Sequence, residues 1–236
     1  MDDSLTAFDE TTSKEAFTLQ NAKLLKVSLR GVTVQAKLGS MVAYQGDVSF
    51  EHAGAGGLSR FVKKAVTGEG QGLMKISGTG EVFLADSAQD VHCIRLEGDE
   101  ITVNGANLLA FDAGIDWSIQ RVQGAAGMMG GGLYNTALKG TGWVAIVSDG
   151  PPVRLDVGSA PTFADPNAAI TWSAGVSTSV KTDMKLKNLI GRGSGETFQM
   201  SFSGQGWVLV QPSEGRVAAP TGSGGGGGGL QNLLNG

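Results

Sequence analysis

Period-two alternation organises most of this chain. In LLKVSLRGVTVQAKLGSMVAY, apolar residues recur at Leu25, Val27 and Leu29, then at Val32 and Val34. That spacing puts one face of a strand inside and the other in water. Gly31 marks a turn or bulge between two short strands. DVHCIRLEGDEITVNG has the same form: Ile94 and Leu96 predict one strand, Glu97–Asp99 a turn, and Ile101 with Val103 a second strand. AITWSAGVSTSV and TFQMSFSGQGWVLVQ are β-branched, aromatic and alternating. Helical spacing is confined to Leu58–Val66 and Met184–Ile190, each enough for one short turn. The pattern predicts an all-β chain with few short helices.

The alternating segments recur as a set. GTGEVFL (Gly78, Gly80), GTGWVAI (Gly140, Gly142) and GQGWVLV (Gly204, Gly206) share G-x-G-x-V-x-aliphatic, at offsets of 62 and 64 residues. Ahead of each stands a second unit: MVAYQGDVSF, LLAFDAGIDWS and AITWSAGVSTS carry an aromatic, then Gly46, Gly114 or Gly175, then Val or Ile. Between the paired units lie the Gly-rich stretches GAGGLSRF, GMMGGGLY and NLIGRGSG. A period of about 61–68 residues predicts three homologous β units in one chain, with β-sandwich or jelly-roll-like sheets and pseudo-threefold organisation. Residues 1–215 then form one triplicated domain. Residues 216–236 form a tail in which the run Gly224–Gly229 is a flexible linker by composition. Beyond it, Leu230, Leu233 and Leu234 share one side if the segment turns helical.

The repeated glycines invite a nucleotide-binding reading, and their order argues against it. A dinucleotide fingerprint runs strand, Gly-x-Gly-x-x-Gly, helix; here Gly-x-Gly comes first and a strand follows. The glycines are therefore structural, shaping a turn or bulge at strand entry. His52, His92 and Cys93 are the metal-ligand types outside the acids. His92 and Cys93 are neighbours in a strand and point to opposite faces, and no Cys-x-x-Cys or His-x-x-x-His spacing occurs. No metal and no cofactor are expected. Asp47 with Glu51, and Asp112 with Asp116, flank the glycines, but the third copy has Ser173 and Ser177 there. No Gly-x-Ser-x-Gly elbow is present, so no residue is assigned a catalytic role. Trp117, Trp143, Trp172 and Trp207 recur inside the copies, where packing competes with a sugar-stacking use.

Composition bears on partners. Charged residues make up 17% of the chain, against about 25% in ordinary soluble domains, and 38 residues are glycine. Low charge predicts surface covered by copies of the chain itself: a homo-oligomer, with a trimer favoured. Net charge is −4, so no nucleic acid partner is expected. The short basic cluster Arg60, Lys63 and Lys64 reads as a solvated turn. Cys93 is the single cysteine, which rules out an internal disulfide. MDDSLTAFDE is acidic without an apolar core, unlike a signal peptide. The charge-free run Val122–Leu138 has 17 residues and five glycines, too short and too Gly-rich to span a bilayer. A cytoplasmic protein, or one peripheral at a membrane, is expected. Met128, Met129, Leu133 and Tyr134, with Leu58 and Phe61 in the first copy, are apolar residues among glycines and the candidates for contact with a protein partner or membrane surface.

With these units in hand, the chain resembles the altered-inheritance-of-mitochondria family, mitochondrial biogenesis proteins with many bacterial relatives. GDVSFEHAGAGGLSRFVKKAVTGEG with GTGEVFLAD, LLAFDAGIDWSIQ with GTGWVAI, and LKNLIGRGSGETFQMSFSGQGWVLVQPSEG carry the likeness, over Phe17–Gly215. The closing FSGQGWVLVQPSEG is its most specific part. The resemblance implies a sandwich-like all-β fold similar to the trp RNA-binding attenuation protein's, oligomers, and a link to inner-membrane organisation in mitochondrial members. It brings no catalytic motif. The chain starts without a transit sequence, which points to a bacterial member. The expected function is a non-enzymatic scaffold that self-associates and engages a partner or membrane. A carbohydrate- or other ligand-binding β module and, by fold analogy, RNA binding are the alternatives.

Overall fold

The computed structural model describes residues 3–52, 72–121, 134–181 and 199–214. The candidate helical turns at Leu58–Val66 and Met184–Ile190, the basic cluster and the Gly-rich tail lie outside the described residues. Fifteen strands run through the rest, with two short 3-10 turns at Asp3–Phe8 and Gly105–Asn107. The all-β expectation is met.

Three copies of one strand arrangement account for nearly all of it. Each copy has a long hub strand bordered by a lead strand on one edge and a flank strand on the other. In the first copy the lead is β2 (Leu24–Ser28) and β3 (Val34–Lys37), the flank is β4 (Met41–His52) and the hub is β5 (Leu73–Leu84). In the second the lead is β6 (Asp90–Asn104), the flank β7 (Leu108–Asp112) and β8 (Asp116–Arg121), and the hub β9 (Tyr134–Ser148). In the third the lead is β10 (Val153–Asp156) and β11 (Thr162–Ala164), the flank β12 (Ala169–Ser173) and β13 (Val176–Lys181), and the hub β14 (Gln199–Gly204) with β15 (Trp207–Val210). An added strand, β1 (Phe17–Asn21), pairs with β2. All pairings are antiparallel, and they join twelve strands into one sheet and β11, β14 and β13 into another.

The register reproduces itself to the residue. Tyr44, Phe111 and Trp172 face Val82, Val144 and Val208, each two positions past the second glycine of its Gly-x-Gly. A bulge falls at the same point of each flank strand, before Ala43, Ala110 and Thr171. Each copy also holds an edge-to-face aromatic pair from the same place: Tyr44 with Phe50, Phe111 with Trp117, Trp172 with Phe202.

In the first two copies the Gly-x-Gly units do not open strands, as their order suggested, whereas in the third Gly206 directly precedes β15. They lie in the middle of the hubs β5 and β9, with φ positive at Gly78, Gly80, Gly140 and Gly142, and at the β14–β15 break with φ positive at Gly204 and Gly206. The second glycine has a specific task. At Gly142 (φ +156°) a Cβ would come within 2.7 Å of Asp112 Oδ2, the oxygen that accepts the Trp143 N–H at 2.7 Å. Gly206 likewise faces Ser173, whose Oγ accepts the Trp207 N–H at 3.1 Å. The missing side chain admits a flank-strand acceptor that satisfies the next hub amide.

Two sequence expectations shift in register. Glu97–Asp99 is a bulge within the continuous β6, with Gly98 at φ +90°, so one long strand replaces two. Counted from the hubs, Gly46 stands where Ala113 and Ala174 do, while Gly114 and Gly175 take the place of Asp47. Gly46 has φ +100°; Gly114 has an ordinary φ and open space around it.

Each copy builds one core, and the cores are linked. The first gathers Leu25, Val27, Ile76 and Leu84, the second Leu96, Ile101, Leu138 and Val144, the third Trp172, Met200, Phe202 and Val208. Leu109, from the second copy's flank, enters the first core; Ile170, from the third copy's flank, enters the second. Buried amides fasten the second copy to the third. Asn104 Nδ2 donates to the Pro166 and Ala169 carbonyls at 3.2 and 3.3 Å. Gln211 Nε2 donates to Asn167 O at 3.0 Å, and its Oε1 accepts the Asp149 N–H at 2.9 Å. Gln211 belongs to the closing VQPSEG, so the family-specific block is a clasp.

Candidate interaction surface

A flank strand is buried when two neighbours cover it. β7 pairs with its hub on one edge and with β3 of the preceding copy on the other, so Leu108, Leu109, Ala110 and Phe111 are all buried. β12 is held the same way between β15 and β6, and Ala169, Ile170, Thr171 and Trp172 are all buried. Among the described residues, β4 pairs with the hub alone. Met41, Val42, Ala43 and Tyr44 hold the equivalent places and are all exposed, Val42 at 62% and Tyr44 at 49%. Their composition is that of a core strand and their surroundings are those of an edge. At the opposite end of the series, β11 pairs with β14. Among the described residues no strand pairing joins β11 to β4.

The other candidates are placed as follows. Leu58, Phe61, Met128, Met129 and Leu133 lie outside the described residues. Tyr134 opens β9 opposite Arg121, and its side chain is likewise outside them. Leu5 and Phe8, in the first 3-10 turn, are exposed. Trp172 is buried in the third core. Trp143 and Trp207 are half-buried, each under a guanidinium: Arg95 sits 5.4 Å from the Trp143 ring centroid and Arg154 5.9 Å from that of Trp207. Cations over the rings occupy the faces a sugar would stack on. In the first copy Glu81 replaces the tryptophan and pairs with Arg30 at 3.7 Å.

Of the acids beside the glycines, Asp112 and Glu51 have structural partners, while Asp47 and Asp116 are exposed. Asp112 accepts the Trp143 amide, and Glu51 pairs with Lys75 at 3.6 Å. Lys37 is buried and held by Asp86 and by the Ala106 carbonyl at 3.2 Å. No group of three His, Cys, Asp or Glu suited to a metal is present among the described residues. His92 Nε2 lies 2.7 Å from Ser148 Oγ; burial lowers its pKa, against an opposing pull from Asp90. Burial raises the Cys93 thiol to about 11, and Cys93 packs against the first core. A thiol kept protonated in this way is a poor nucleophile.

The family model described as Mitochondrial biogenesis AIM24 matches residues 17–213. The chain belongs to this family. The AIM24 match starts at β1, ends just past Gln211 and takes in all three copies. No curated protein matches the chain. Among solved structures, the crystal structure of protein SPYM3_0169 from Streptococcus pyogenes is similar at a TM-score of 0.64 and 19% identity, covering 83% of this chain and 91% of that one. At that identity the likeness shows a shared fold.

Met41, Val42 and Tyr44 were not singled out by sequence. MVAY is legible as a repeat unit, and its exposure follows from counting: three copies in a row make two junctions and leave one flank strand without a predecessor.

Proposed function

We propose that this AIM24-family chain is a non-enzymatic scaffold that self-associates and engages a protein partner or a membrane surface from the cytoplasmic side. The supporting observation is the contiguous exposed set Met41, Val42, Ala43 and Tyr44, whose counterparts in both other copies are core residues. An exposed apolar patch on a strand edge marks an interaction site or an aggregation hazard. The family description names a process and no reaction, which fits a scaffold. Among the described residues no helix is long and apolar enough to cross a membrane. The covered tryptophan faces weigh against a carbohydrate module, and the net charge of −4 weighs against RNA.

Light scattering with a liposome flotation arm tests the reading. It predicts a mass that is a multiple of the 24.2 kDa chain, with three chains favoured. A strict monomer that ignores liposomes would contradict it.

A further inference from the structure

The outer edge of a flank strand is joined twice inside this chain, each time in the same way. β3 meets β7 with Ala36 opposite Ala110, Gln35 opposite Phe111 and Val34 opposite Asp112. β6 meets β12 with Val103 opposite Thr171, Thr102 opposite Trp172 and Ile101 opposite Ser173. Both are antiparallel ladders of three residues, and the bulge just before each ladder does not prevent it. Ala43, Tyr44 and Gln45 hold those places in β4, and all three are exposed. Their main chain is turned the right way. Gly80 O accepts the Leu29 N–H at 2.8 Å, so Gly80 and, two places on, Val82 direct their main chain to the lead edge of the hub. Tyr44 lies opposite Val82, and its own N–H and C=O therefore point away from the hub. The inner junctions agree: Ala113 and Ala174, two places after Phe111 and Trp172, donate across them to Thr33 O and Glu100 O at 2.9 and 3.1 Å.

We infer that β4 pairs antiparallel with β4 of a second copy, about a two-fold axis at Tyr44. Tyr44 then lies opposite Tyr44 and exchanges both main-chain hydrogen bonds with it, while Ala43 lies opposite Gln45 on either side. The occupant is a second copy because this edge is its own complement in charge. Leu38–Gly46 holds neither a charge nor a proline, so the ladder sets no charge against another, and Asp47 falls opposite Met41. β10, which ends the same sheet, carries Arg154 and Asp156 and follows Pro151 and Pro152, devices that keep an edge alone. The two tyrosines meet on the face that carries Val82 and Val27, as a cross-strand aromatic pair. On the other face Glu10 holds Gln45 Nε2 at 3.1 Å and is itself neutralised by Lys26 at 2.9 Å, so no unpaired anion comes to the seam. The small Ala43 of the second copy leaves room for that Gln45. Strand addition of this kind joins two main chains and buries alternate side chains. The inference rests on the self-association reading and gives it a unit: an isologous contact closes at two chains, in place of the three that composition favours.

Cysteine cross-linking of full-length chains tests this in a Cys93→Ala background. Directly opposed residues of antiparallel strands have Cα atoms about 4.5–5.5 Å apart, inside the range a disulfide spans. Mild oxidation is expected to link the Tyr44→Cys chain to itself, at twice the 24.2 kDa chain mass. A mixture of Ala43→Cys and Gln45→Cys chains, which keeps the tyrosine, should link where neither chain links alone, because like positions then sit diagonally, about 7–8 Å apart. Val153→Cys, exposed on β10, should give no link. Adding Ala43→Glu to the Tyr44→Cys chain should remove the link and halve the mass by light scattering, while circular dichroism stays unchanged. A multimer, three chains included, with no link in either arm would overturn the inference and leave self-association standing. A strict monomer would overturn both. Amide protection at Met41–Gln45 that appears with phosphatidylcholine vesicles and not with rising protein concentration would assign the edge to a membrane. Links that form only after truncation at Glu214 would assign it to the tail. Either of those outcomes also overturns the inference.

Discussion

Leu108–Phe111 and Met41–Tyr44 occupy the same place in their copies, against Val144–Ile146 and Val82–Leu84 of their hubs, with the same bulge. The first strand is wholly buried and the second wholly exposed. Propensity, register and hub contacts are alike, so the difference lies in one neighbour. β3 covers β7, and nothing among the described strands covers the outer edge of β4. Burial of a strand is thus a property of the junction, and a triplicated chain carries its own control for what a missing junction does.

The comparison can be broken most forcefully at the bulge. Leu109→Ala and Ile170→Ala should each cost about 2–5 kcal/mol in urea unfolding, since both side chains fill a core across a junction. Val42→Ala, at the equivalent exposed place, should stay within about 0.5 kcal/mol at dilutions where the chain is alone. Equal costs at the two places would show that β4 is covered.

A smaller contrast sits at the glycines. Gly142→Ala must adopt φ +156° and displace the Asp112 carboxylate, so thermal unfolding should show a loss of more than about 1 kcal/mol. Gly114→Ala, with ordinary φ and open space, should be close to neutral. Smaller still is the difference between hub partners. Arg95→Ala removes a cation from the Trp143 face at about 0.5–1 kcal/mol. Arg30→Ala removes an ion pair with a mostly exposed arginine, for which about 0–1 kcal/mol is usual. A double-mutant cycle in each copy measures the two couplings.

The smallest effect is a pH slope. Burial lowers the His92 pKa below its ordinary 6.5, so just below pH 6.5 the unfolded chain binds a proton that the folded chain refuses. Stability from this group is complete above pH 6.5 and is lost as pH falls from there towards the folded value. Urea midpoints between pH 7.5 and 5.5 should therefore slope less in His92→Gln than in the parent.

Much of this was legible in the sequence because it is periodic. Alternation gave the strands, and the spacing of Gly78, Gly140 and Gly204 gave the three hubs. The place of the glycines within the hubs was not legible, because Gly-x-Gly followed by a strand looks the same whether or not another strand precedes it. Pairing each aromatic with the glycine after it also misaligned Gly46 with Gly114 by one residue, an error only the hub register reveals. Exposure of Met41–Tyr44 was hidden for a different reason. Apolar content predicts burial for all three flank strands alike, and only the sheet order shows which one lacks a cover. The loop residues named from sequence, from Leu58 to Leu133, lie outside the described residues, so the surface argued here rests on strands.

Hydrogen exchange of the full chain across a concentration series tests the central claim most directly. Amides of Leu108–Asp112 should be protected at every concentration. Those of Met41–Gln45 should gain protection as concentration rises and lose it on dilution. Protection at Met41–Gln45 that stays low and constant while the chain is multimeric would contradict the claim that this strand waits for a second copy.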